Sequence, residues 1–208
     1  MTTASPILGF LDDSNIQYAM QHVGVAGTWR WPGATVPVWI RRPSLQYAHE
    51  AQLVRQAIQE INRRLTGRIE LQETPRIGLT SCIAVSFGTA YRPEELRAET
   101  DCRKLWGYRA NVSNAIGACD RVIPDEHGHP ECLVTWLNIG IGQDNPCKVD
   151  LDIVLHEFGH ALGLTEHFEG FGLQSGAISE DFWDVLATLY NDRPLTPLAA
   201  IRPAKAAP

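Results

Sequence analysis

The stretch Val149–His167, V-D-L-D-I-V-L-H-E-F-G-H-A-L-G-L-T-E-H, decides how the rest of the chain is read. Leu151, Val154, Leu155, Phe158, Ala161 and Leu162 recur at helical spacing and form a stripe that would face a core. His156 and His160 are four residues apart, so on that helix they leave one face a single turn apart. Two imidazoles so placed can grip one metal ion, and zinc is the usual occupant. Glu157, beside the first histidine, is positioned to take a proton from water at such a metal. Gly163 stands where a helix C-cap glycine belongs and lets the chain turn sharply. A third ligand is expected just after that turn. A buried helix whose histidines only make hydrogen bonds would leave both the glycine and the following His167 without a role.

Length and composition set the frame. At 208 residues the chain is one domain with tails, long enough for a sizeable core. Hydrophobic content of 44% with 20% charged residues is ordinary for a globular protein. The net charge of -6, with no basic cluster to neutralise phosphates, argues against a nucleic-acid partner. No apolar run reaches bilayer-spanning length. The opening residues, M-T-T-A-S-P-I-L-G-F-L-D-D, lack a basic n-region and a long apolar stretch, so no signal peptide is read there. The expected organisation is an N-terminal segment over residues 1–27, a catalytic unit over 28–193 and a flexible Pro- and Ala-rich tail over 194–208.

The five cysteines, Cys82, Cys102, Cys119, Cys132 and Cys147, all precede the metal helix, and none forms a CxxC pair. Pairing Cys102 with Cys119 and Cys132 with Cys147 would close short loops, as an oxidising compartment allows. Cys82, in an apolar run, is then the buried thiol left over.

Upstream of the metal helix, Trp-Pro-Gly marks a turn before a strand over residues 36–41. Residues 47–65 read as an amphipathic helix, with Leu53, Ala57, Ile58, Ile61 and Leu65 on one face and Gly67 ending it. Strands are expected over 68–73, 81–87 and 133–139. Residues 88–131 read as a long irregular insertion, in which His127 and His129 could hold a second metal but belong more naturally to a solvated turn. After His167 come a glycine-rich loop and a second helix, with Ser179 as N-cap, Glu180 and Asp181 in its first turn, and a core stripe through Phe182, Val185, Leu186 and Leu189.

These segments, in this order, resemble a metzincin zinc metallopeptidase, closest to the matrixins. H-E-F-G-H-A-L-G-L is similar to their zinc helix, R-W-P-G-A-T-V-P-V-W-I to their first strand, and I-S-E-D-F-W-D-V-L-A-T-L-Y to their C-terminal helix, over residues 28–192. The resemblance implies an α+β fold: a twisted mixed sheet with a long backing helix, an active-site helix holding Zn2+, and a small C-terminal subdomain with one helix. It implies an endopeptidase acting on polypeptides, with His156, His160 and a third residue as ligands and Glu157 as general base. It also favours secretion and a monomer. By its implication an extended substrate pairs along residues 133–139, and the loop from Phe168 to Gly176 walls the pocket.

Two departures accompany the resemblance. The family spacing puts the third ligand at Glu166, and His167 comes one residue later. His167 is favoured, since a loop absorbs one extra residue, with Glu166 as the alternative. The family's methionine turn is also missing: Met1 and Met20 are the only methionines, and Leu173 stands in the corresponding loop. Glu180, twenty residues after His160, offers a third-ranked ligand in the manner of thermolysin-like enzymes. Asp12 or Asp13 could cover the metal as an aspartate switch, although an ordinary N-terminal segment accounts for them more simply. The alternative to a peptidase is a zinc-stabilised binding module or inactive pseudoenzyme of the same fold.

Overall fold

The computed structural model describes residues 30–77, 81–116, 133–141, 147–164, 167–168, 170–172, 177–193, 196–197 and 200–208. Its elements are β1 (Thr35–Ile40), α1 (Ala48–Arg64), β2 (Glu70–Thr74), β3 (Cys82–Phe87), β4 (Ala110–Ile116), β5 (Leu133–Ile139), α2 (Leu151–Ala161) and α3 (Glu180–Leu189). The fold is α+β, with one mixed five-stranded sheet in the order β2-β1-β3-β5-β4. No helix among the described residues is long and apolar enough to cross a membrane. Two compact units divide the chain, one built from Pro37–Gln59 with Leu71–Ala161, the other from residues 30–36, Glu60–Glu70 and Leu162–Pro208.

In the first unit β3 is central and parallel to both β1 and β5. Its sequence, C-I-A-V-S-F, is almost continuously apolar and almost wholly buried, as a strand covered on both faces must be. Parallel partners in register share a face, so Val38, Ile83 and Thr135 lie on one side. On the other side Trp39 and Trp136 meet edge to face at 6.3 Å. The metal-motif helix α2 packs against β4 and β5. Asp150 starts α2 by accepting the Ile153 N–H at 3.0 Å, which satisfies one of the donors a helix leaves open at its first turn.

The stretch expected to be an irregular insertion contains β4, which runs antiparallel to β5 along its whole length, from Ala110↔Ile139 to Ile116↔Leu133. Its sequence, A-N-V-S-N-A-I, has little intrinsic strand preference, and the ladder to β5 overrides that weakness. A second correction follows from the sheet order. β5 lies between β3 and β4, so the outer strand on that side among the described residues is β4, and the expected pairing edge at residues 133–139 is occupied.

The cysteine pairing also differs from expectation. Cys102 is bonded to Cys147, with Cα atoms 5.3 Å apart, and not to Cys119; Cys119 and Cys132 lie outside the described residues. The bond sits over a small core of Ala90, Leu105, Ile141 and Cys147, against which Leu96 and Tyr108 pack. Loop length therefore does not choose the partner; both cysteines pack in one apolar cluster, Cys147 buried and Cys102 partly so. Cys82 is buried and carries no disulfide, as expected.

The second unit is organised by α3, whose Phe182, Trp183, Val185, Leu186 and Leu189 are buried. Arg64 links its parts. The guanidinium pairs with Glu180 and Glu60, donates to Ala207 O at 2.9 Å, and lies 5.2 Å from the centroid of the Trp183 ring. Composition marks residues 194–208 as a flexible tail, yet the end of the chain is fastened. The Ala204 N–H donates to Thr188 Oγ1 at 3.0 Å, that of Ala206 to Asp184 Oδ1 at 3.1 Å, and that of Ala207 to Arg64 O at 2.9 Å, while Ile201 is buried. Buried acceptors on α3 and α1 give this segment partners that its own composition does not reveal.

Non-reducing peptide mapping should recover Cys102 and Cys147 in one linked pair of peptides. Replacing both with serine should lower unfolding free energy by about 2–4 kcal/mol, read from urea melts. Recovery of a Cys102–Cys119 pair would refute this bridge.

Candidate metal centre

α2 carries its chemistry on a rigid support. Val154 and Phe158 are wholly buried, and Ile153, Leu155 and Ala161 nearly so, which leaves the helix little freedom to rotate. The Nε2 atoms of His156 and His160 lie 3.2 Å apart, with ring centroids at 4.8 Å and planes nearly perpendicular. Two nitrogens on one tetrahedral zinc, with bonds of about 2.0–2.1 Å, would be about 3.3 Å apart. The pair therefore already has the spacing of two ligands on one ion.

His167 joins them. The ligand atoms of His156, His160 and His167 all lie within 4.8 Å of one another. Three neutral imidazoles suit a divalent ion of borderline softness, so the donor set fits zinc on its chemistry as well as its spacing. Glu166, the alternative third ligand, lies outside the described residues, as do Leu173, Asp12, Asp13, His127 and His129.

Glu157 points into the same buried layer, with only 7% of its surface exposed. Burial pushes its carboxyl up to about 8. A divalent cation on the neighbouring histidines acts in the opposite direction, because a positive charge a few ångströms away favours the carboxylate. A poorly solvated carboxylate beside a metal is a strong proton acceptor.

Gly163 has φ +114°, within the left-handed region that costs other residues strain, and it reverses the chain after α2 as expected. In the loop beyond it Phe171 is completely buried. It meets His167, Phe168 and Phe182 edge-on, at centroid distances of 5.4, 5.1 and 5.2 Å. These contacts make it part of a packed aromatic array under the third histidine.

Glu180 is engaged elsewhere, in a two-pronged pair with Arg64. Ser179 has the extended backbone of an N-cap, but its side chain makes no capping hydrogen bond; its N–H donates to Gly170 O at 3.0 Å. The hydroxyl is held close to Gly170, where an added Cβ would lie 2.0 Å from Ser179 Oγ. That close packing turns the hydroxyl away from the helix end.

Three supporting residues were not singled out from sequence. Asp150 had a readable signal, an aspartate immediately before the apolar stripe. Arg109, which donates to Lys148 O at 2.7 Å, and Tyr190, which donates to Leu162 O at 2.8 Å, act across 39 and 28 residues and left no local pattern. In comparisons with known proteins, no family model matches the chain and no curated protein is significantly similar to it.

Phe171→Ala should destabilise the protein by about 3–5 kcal/mol, the usual cost of emptying an aromatic core site. Denaturant melts check this, and a change under 1 kcal/mol would show that the ring is not part of the core.

Proposed function

We propose that the chain is a zinc-dependent endopeptidase of metzincin type. The observation that carries the reading is the convergence of His156, His160 and His167 next to a buried Glu157. A purely structural metal site needs the three ligands but has no use for a desolvated carboxylate beside them.

When bound, zinc supplies Lewis acidity that polarises a peptide carbonyl and acidifies water. The remaining work falls to the chain's own residues. His156 and His160, fixed on one face of α2, and His167 beyond the turn would hold the ion, and three protein ligands would leave room for substrate or water. The Glu157 carboxylate takes the proton of the attacking water and delivers it to the nitrogen of the leaving amine. Burial keeps bulk water from competing for that proton.

An extended polypeptide is the substrate class that a sheet edge receives. With β5 enclosed, β4, the outer strand on that side among the described residues, is the edge for such pairing. The Cys102–Cys147 bond fits an oxidising compartment, consistent with secretion.

The test is cleavage of an unstructured fluorogenic peptide by the zinc-loaded chain. Glu157→Ala should retain zinc and lose about 100-fold or more in kcat/KM, and chelation should abolish cleavage until zinc is restored. Tight zinc binding with no cleavage by the wild type would instead identify a zinc-stabilised binding module. An anomalous map at the zinc edge should show His156, His160 and His167 on the metal; density joining Glu166 instead would reassign the third ligand.

A further inference from the structure

The third ligand is the only one of the three histidines not on α2, so something outside that helix must fix it. Leu162 is the first residue beyond α2, and its carbonyl is among the acceptors that a helix end leaves without an internal donor. The side chain is fully buried, so water is a poor source for that donor. The Tyr190 hydroxyl, at the C-terminal end of α3, fills the role at 2.8 Å in a buried hydrogen bond. One residue later Gly163 reverses the chain, and four further on comes His167.

Tyr190 is itself held firmly. The Arg30 guanidinium lies 5.1 Å from its ring centroid and is fastened to Asp192 O by bonds of 3.0 and 2.8 Å. The Tyr190 N–H donates to Leu186 O at 3.0 Å. Burial pushes the phenol's pKa up, so the hydroxyl stays a donor. The same helix reaches His167 by a second route, through the edge-on rings of Phe182 and Phe171.

We infer that Tyr190 is a positioning residue for the metal centre: its hydrogen bond to Leu162 O fixes the turn at Gly163 and thereby holds His167 where it can complete the ligand set. This rests on the reading of His167 as a ligand, and the experiment separates the two. Partners that orient a ligand indirectly typically change metal affinity by about 10–100-fold when removed.

The experiment is zinc titration of the full chain against a chromophoric chelator, with the visible spectrum of the cobalt-substituted protein as a second readout. Tyr190→Phe removes one oxygen. It should weaken zinc binding by about 10-fold or more and shift the cobalt bands, while far-ultraviolet circular dichroism stays that of the wild type. In a His167→Ala background the same substitution should have no further effect on zinc affinity, since nothing remains to be positioned. A merely structural tyrosine would lower the melting temperature yet leave zinc affinity and cobalt spectrum unchanged, and that result overturns the inference. If His167→Ala itself leaves zinc affinity unchanged, the ligand assignment fails first and the inference with it.

Should Tyr190→Phe fail to fold, the wild type still decides the matter by reciprocal linkage. Zinc should then slow hydrogen exchange at the Tyr190 and Asn191 amides as well as at α2. Protection confined to residues 151–167 would overturn the inference.

Discussion

A carboxylate buried between two histidines on a largely apolar helix is the constraint on which the rest of this structure depends. Glu157 has lost most of its hydration, and in the charged form that loss is unfavourable unless a positive charge stands nearby. A metal on His156 and His160 would provide that charge, and the same placement would make the carboxylate an effective base. The arrangement works only if α2 cannot rotate to return Glu157 to water. Its packing on β4 and β5, and the buried Val154 and Phe158, remove that freedom.

Much of this was legible in the sequence because its causes are local. Helical period and the four-residue spacing placed His156 and His160 on one face, and Gly163 declared the turn by the φ that only glycine adopts without strain. The backing helix α1 was readable from Leu53, Ala57, Ile58 and Ile61, and β3 from an apolar run that suits a central strand. His167 could be favoured over its neighbour only by assuming that the loop absorbs one residue. The structure brings His167 to the other two histidines.

What the sequence hid depends on partners far along the chain. β4 looks irregular because Asn111, Ser113 and Asn114 disfavour strands, and only the β5 ladder makes it one. The Cys102–Cys147 bond spans 45 residues and follows a shared apolar cluster, which spacing cannot disclose. Phe171 sits in a glycine-rich loop, and its neighbours in space are rings from His167, Phe168 and Phe182. In each case a contact that the local pattern does not disclose decides the arrangement.

The two ends of α2 show how such contacts serve the centre. A helix end exposes backbone groups that the helix cannot satisfy itself, and burial makes each of them costly until a partner arrives. Before the helix, Lys148 O takes a hydrogen bond from Arg109, Cys147 is covalently tied, and Asp150 caps the first turn. After it, Leu162 O takes one from Tyr190. Asp150 and Tyr190 thus satisfy open groups at the two ends of α2, while Arg109 and the disulfide hold the chain that leads into it. Those contacts flank His156 and His160, so the requirement to satisfy buried backbone also restrains the helix that carries them.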